Sequence, residues 1–182
     1  DPSRALLEQA KNIAGINTVV SNAVDYVNNN SAQTFDGIIL KEMIHHISDK
    51  NLEAFFAKLL HLLKPHGTCV ICTRPQRGIE YPFFADAIKK WPESQPDPAI
   101  YVSLLRKAGF KNIDIAHVTY KMQISLDEWV RFIKNRLWSN FSHAQFSDAA
   151  LNKGIEEILH KYGKTNTIEF NEKQIFIQAR KR

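Results

Sequence analysis

Two adjacent histidines, His45 and His46, follow the apolar run Phe35-Asp36-Gly37-Ile38-Ile39-Leu40 after only four residues. Imidazole titrates near neutral pH, so a histidine at the end of a strand can take a proton from an oxygen or nitrogen nucleophile. A second candidate pair is Cys69 and Cys72 in Cys-Val-Ile-Cys. Its surroundings are an apolar strand rather than a helix start. Residues three apart on a strand point to opposite faces, so the two thiols are expected to be buried and neither bridged nor metal-bound. The four residues together match no zinc-ligand spacing, and no metal site is expected.

The elements that must hold these residues can be read from spacing. Ser3 or a neighbour caps a first helix carrying Leu6, Leu7, Ala10, Ile13 and Ala14, which Gly15 ends. Thr18-Val19-Val20 reads as a short strand, with Asn22-Ala23 at its carboxyl end and a polar loop from Asn28 to Gln33. Phe35 to Leu40 is continuous rather than alternating, the pattern of a strand buried on both faces. Leu52, Phe55, Phe56, Leu59, Leu60 and Leu63 then keep helical spacing behind a Ser48 or Asp49 cap, and Pro65 and Gly67 stop the helix before a second buried strand, Thr68 to Thr73.

In the second half a short helix is expected from Pro82 to about Lys90. Asp97 caps another, with Pro98 at its first position and Ile100, Leu104, Leu105 and Ala108 inward. Ile113 to Ile124 is a strand whose apolar phase shifts near Ala116-His117, as a β-bulge would produce. Ser125-Leu126-Asp127-Glu128 is a capping box opening a helix with Trp129, Ile133 and Leu137 on one face. A helix from Asp148 to Tyr162, with Leu151, Ile155, Ile158, Leu159 and Tyr162 inward, and a strand through Ile175 to Ile177 close the chain. No linker or repeat divides it, so residues 1–182 are expected to form one domain. Strands alternating with helices predict a mainly parallel sheet with right-handed crossovers, in which ligands sit outside the carboxyl ends of the strands. The loop from Lys41 to His46 lies there.

Composition narrows the class. The chain has 182 residues, 44% hydrophobic and 24% charged, enough for a real core. No run of eighteen apolar residues and no charged-then-apolar leader occurs, so no membrane partner is expected and cytoplasmic residence is the default. The net charge of +5 and the terminal Arg180-Lys181-Arg182 lack interleaved aromatics, so nucleic acid is not the expected partner.

The sequence Phe-Asp-x-Ile, then His-His-Ile, then Leu-Lys-Pro-x-Gly before an apolar strand resembles the middle of a class I S-adenosylmethionine-dependent methyltransferase of type 11 or 25. The resemblance implies an α/β Rossmann-like sheet with helices on both faces and an antiparallel final strand. It also implies a strand, glycine-rich turn and helix upstream. None precede Asp1 and no Gly-x-Gly occurs, so the chain is expected to be incomplete at its amino terminus. The resemblance places Asp1 where a carboxylate holds the ribose hydroxyls of S-adenosylmethionine. It places Asn22 and Ala23 at the adenine, and Lys41, Glu42 and Met43 along the cofactor loop. His46 falls at the catalytic position. His45, Arg74 and Trp138 are candidate substrate contacts, and residues 125–163 resemble a helical substrate lid in which Trp129 and Phe141 join Trp138. The function implied is methylation of a small molecule at oxygen, nitrogen or carbon. The alternatives are a non-catalytic methyltransferase-like partner-binding protein and an RNA or protein methyltransferase.

Overall fold

The computed structural model describes residues 1–30 and 33–182. Two compact units emerge: Asp1–Ile71, Tyr101–Asp114 and Ile177–Arg182 form the first, Cys72–Ile100 and Ile115–Phe176 the second.

The first unit begins with α1 (Arg4–Ala10), where the Ser3 hydroxyl accepts the Leu6 N–H as the sequence predicts. The helix buries no residue, and Ile13 lies beyond its end, exposed. The expected strand at Thr18–Val20 does not form. One pairing stands in its place: Asp1 N–H donates to the Val19 carbonyl (3.2 Å) and Ser21 N–H to the Asp1 carbonyl (3.3 Å). That is a single parallel bridge rather than a ladder. A helix not predicted from the sequence, α2 (Ala23–Asn29), takes up the start of the polar segment expected from Asn28, of which Ser31 and Ala32 lie outside the described residues.

Next come β1 (Phe35–Lys41), one 3-10 turn (Ile44–His46), α3 (Asp49–Leu62) and β2 (Leu63–Thr73). Helix α3 buries Leu52, Phe55, Phe56, Leu59 and Leu62, the face its spacing predicts. Pro65 and Gly67 do not separate it from the next strand, because β2 starts directly at Leu63. Thr34 N–H donates to the Leu62 carbonyl (2.9 Å), and Gly37 lies beside Thr68, so β1 and β2 rise together in parallel. Gly67 has no room for a side chain. A Cβ there would meet the Lys64 carbonyl at 2.9 Å and the Asp36 carbonyl at 3.2 Å.

Among the described residues the strand order is β1-β2-β4-β3, with β3 at Lys111–Ser125 and β4 at Thr167–Arg180. Lys181, just past β4, donates its N–H to Gly67 (2.9 Å) and its Nζ to the Leu63 carbonyl (2.7 Å), so the end of β4 lies beside the start of β2. Leu126, after β3, donates to Asn166, before β4 (3.1 Å). Both interfaces of β4 are therefore antiparallel, and the sheet is mostly antiparallel instead of mainly parallel. The antiparallel final strand is as expected; its insertion between β2 and β3 creates two antiparallel interfaces against one parallel. Strand β1 ends the sheet, and it is not buried on both faces: Asp36, Gly37 and Ile39 are exposed, Ile39 at 74%.

Helix α5 (Pro98–Ala108) starts at the predicted Asp97 cap, whose carboxylate accepts the Ala99 N–H (2.9 Å). It buries Tyr101, Val102 and Leu105, while Ile100 is exposed. Tyr101 is wholly inaccessible, and its hydroxyl has no hydrogen-bond partner among the described residues. Burial pushes its pKa up, and the nearby Asp49 charge adds to the shift.

The second unit packs α4 (Ala85–Ser94), α6 (Leu126–Lys134) and α7 (Asp148–Tyr162) around an aromatic core. The capping box at Ser125 and Glu128 forms as predicted, and the serine hydroxyl and backbone hold the Glu128 carboxyl below its ordinary pKa. Trp129 and Ile133 are buried. Leu137 falls past the helix end and Leu159 lies off the buried face of α7, so both are exposed, contrary to expectation. Trp91 and Trp129 donate their indole N–H groups to the Pro75 (2.9 Å) and Pro82 (2.8 Å) carbonyls, which satisfies the polar edge of each buried ring. Gly154 of α7 sits on the Phe84 ring; a Cβ there would come within 2.5 Å of it.

Gly154→Ala should therefore lower stability by about 1–3 kcal/mol through overpacking, despite alanine's better helix propensity, as read by denaturant unfolding. An unchanged or raised midpoint would mean that α7 does not press on Phe84. Among the described residues Cys69 and Cys72 form no disulfide and both are buried, and burial pushes the Cys69 thiol up to about 12. Ellman's reagent should find neither thiol in the native protein and both in guanidinium; rapid native labelling would contradict the burial.

Candidate functional site

An open cleft of about 700 Å³ lies within the first unit, its walls drawn from α1, residues 16–27, β1 and α3. Apolar side chains dominate: Leu7, Ile16 and Val19 on one part, Ile38, Leu40, Phe55 and Leu59 on another. The volume falls in the range of small-molecule sites. Asp1, Asn22, Ala23, Lys41 and Met43 all line it, although forty residues separate the first from the last two. Two charged side chains are among its lining residues, Asp1 and Lys41.

Each has an identifiable local setting. The Asp1 carboxylate accepts the Ser3 N–H through Oδ1 at 2.7 Å, which orients the group with its second oxygen outside that bond. Asn22 is the N-cap of α2: its Oδ1 accepts the Asp25 N–H (2.9 Å) and its Nδ2 donates to the Asp25 carboxylate (2.6 Å). Capping fixes this side chain, and one of the two amide hydrogens on Nδ2 remains for another acceptor. Ala23 follows at the first turn of the helix. Lys41 is the last residue of β1, exposed, and paired with no carboxylate among the described residues. Tyr26, on the unpredicted α2, is a half-buried aromatic of the lining that the sequence reading missed. The Asn-x-x-Asp pattern of residues 22 to 25 is the signal that announces its helix.

Glu42, His45 and His46 belong to the loop beyond β1 and stand outside the lining of the cleft. The two imidazoles lie against each other in a tilted pair, with ring centroids 4.2 Å apart at 47°. His45 is half-buried and His46 exposed.

Arg74 and Trp138 fall in the second unit, where they touch each other: the guanidinium lies 4.7 Å from the ring centroid of Trp138. Arg74 Nε also donates to Glu172 Oε1 (3.0 Å) and Tyr81 Oη (2.7 Å), and Tyr81 donates to the same carboxylate oxygen at 2.6 Å. Burial drives the Tyr81 pKa upward against the opposing charge of Arg74. Trp129 and Phe141 lie inside the aromatic core of this unit. Among the described residues no cluster of His, Cys, Asp and Glu could hold a metal, and no helix is long and apolar enough to cross a membrane.

The methyltransferase-domain family matches residues 1–67. No curated protein matches the chain. Among solved structures it is similar to an S-adenosylmethionine-dependent methyltransferase from Archaeoglobus fulgidus, with 16% identity, all of this chain and 74% of that one covered, and a TM-score of 0.56. The YcgJ protein from Bacillus subtilis is 14% identical over 98% of this chain and 76% of its own, with a TM-score of 0.59. The [4+2]-cyclase SpnF is 14% identical over 97% of this chain and 60% of its own, with a TM-score of 0.52. Residues 1–67 thus match the methyltransferase-domain family, and the chain as a whole shares the Rossmann-like fold of these solved structures.

Proposed function

We propose that this protein transfers a methyl group from S-adenosylmethionine to a small molecule, with the nucleoside of the cofactor in the cleft of the first unit. The observation that carries this reading is convergence. Five of the six residues that the family pattern assigns to the cofactor line one cleft, with walls apolar enough for a purine and a thioether.

The side chains suit that ligand. Asp1 presents a carboxylate oxygen to a vicinal diol, and its bond from Ser3 holds the group in place. Asn22, immobilised as a cap, offers its remaining N–H to a ring nitrogen. Ala23 leaves space beside it. Tyr26, Phe55 and Leu59 supply apolar walls that exclude water from the ring. S-adenosylmethionine itself supplies the electrophile, a methyl on a positively charged sulfur that departs without protonation. The protein's part is then mainly positioning and water exclusion. For a nucleophile that still carries a proton, His46 is the acceptor, exposed at the turn after β1. His45, and Arg74 with Trp138, are proposed as substrate contacts in their respective units.

Calorimetric titration of S-adenosylhomocysteine tests the reading. The protein should bind it, and Asp1→Ala should weaken binding by about ten- to a hundred-fold, the loss of a charge-assisted hydrogen-bond pair. Absence of binding by the unaltered protein would end the reading. Once a substrate is in hand, His46→Gln should lower kcat by about a hundred-fold or more with KM little changed, the size of a lost proton acceptor. An unchanged kcat would remove His46 from the proton transfer.

A further inference from the structure

The cleft carries one acidic and one basic side chain in a lining that is otherwise neutral and largely apolar. Asp1 and Lys41 form no ion pair with each other, and neither has a charged partner elsewhere among the described residues. Lys41 is therefore a cation that lines a cleft and is not neutralised by its own chain.

Two separate, uncompensated charges of opposite sign select for a dipolar ligand. Hydroxyl or amino hydrogens would satisfy the carboxylate, and an anionic group would satisfy the ammonium. The walls between them take apolar and aromatic surface. A neutral nucleoside would meet Asp1 and leave Lys41 to water. A nucleoside extended by a thioether and an amino acid has a carboxylate as well.

We propose that Lys41 binds the α-carboxylate of S-adenosylmethionine and so serves as its anion anchor. This rests on the cofactor reading given above. The backbone of β1 supports the role: Leu40 beside Lys41 is buried, and β1 is held against β2 at the close approach of Gly67. The lysine thus leaves the sheet from a fixed last residue, and only its own flexible stem must be ordered on binding. Its companion in the lining two residues on, Met43, is a soft apolar side chain suited to the thioether stem beside that carboxylate.

The test compares two probes by calorimetry. S-adenosylhomocysteine carries the amino-acid carboxylate. 5′-Deoxy-5′-methylthioadenosine has the same nucleoside and a thioether but no carboxylate. Lys41→Met keeps the length and apolar stem and removes the charge. The expected result is about a ten-fold weaker Kd for S-adenosylhomocysteine, an unchanged Kd for methylthioadenosine, and recovery of most of the first loss in Lys41→Arg. The wild-type preference for the carboxylate-bearing probe should also shrink as salt rises, and the Lys41→Met preference should not.

Equal weakening for both probes would overturn the proposal, since Lys41 would then shape the cleft and read no charge. So would an unchanged Kd for S-adenosylhomocysteine, with the cofactor reading left intact. Failure of the wild-type protein to bind either probe would instead remove the cofactor reading, and this proposal with it. Matching thermal midpoints for wild type and Lys41→Met verify that folding is not the cause of any change.

Discussion

The packing around Gly67 governs where one wall of the first unit's cleft can be. A Cβ there would meet the Lys64 carbonyl of β2 itself at 2.9 Å and the Asp36 carbonyl of β1 at 3.2 Å. A larger side chain there would push β1 outward and with it Gly37, Ile38, Leu40 and Lys41, which form one wall of the cleft. On its other side β2 pairs with β4, so its backbone is satisfied on both edges and it cannot slide to accommodate such a shift. The direct passage from α3 into β2 at Leu62-Leu63 adds a third restraint, because no loop lies between them to absorb movement. The wall is rigid because strand pairing and helix packing both specify it.

The opposite wall is built differently. Residues 16–21 form no ladder, and their position depends on the one bridge to Asp1 and on the cap at Asn22. The same two residues are the ones proposed above to hold the ligand. Different atoms would serve each role: the Asp1 backbone pairs with Val19 and Ser21 while its carboxylate takes the Ser3 N–H on one oxygen, and the Asn22 side chain uses Oδ1 and one Nδ2 hydrogen for the helix. A rigid apolar wall facing a sparsely bonded polar one is a reasonable arrangement for a ligand with an aromatic ring and a polar edge.

What could be read from the sequence is what depends on neighbours a few residues away. The Ser125–Glu128 capping box, the Asp97-Pro98 helix start and the buried faces of α3 and α7 are all set by contacts within one or two turns. The errors concern relations between distant segments. An apolar run such as Phe35–Leu40 has the same pattern whether it lies inside a sheet or at the end of one, and here it lies at the end. Thr18–Val20 has strand composition without enough pairing to make a strand. Ile100 and Leu137 continue an apolar period past the point where a core exists to receive them. The cleft shows the same division. No spacing rule connects Asp1 with Asn22 and Lys41, and only a resemblance to a known fold could group them; Tyr26 was missed with the helix that carries it.

The lone hydroxyl of Tyr101 bears on how this sequence can change over time. A phenol oxygen enclosed in α5's packing without a hydrogen bond costs about 1–3 kcal/mol relative to a benzene ring of the same shape. Stability alone therefore favours phenylalanine at this position, and a single base change separates the two codons. Tyrosine held here across a lineage would have to be kept by a demand other than folding, whereas free exchange with phenylalanine would mark the oxygen as a historical accident that the core tolerates.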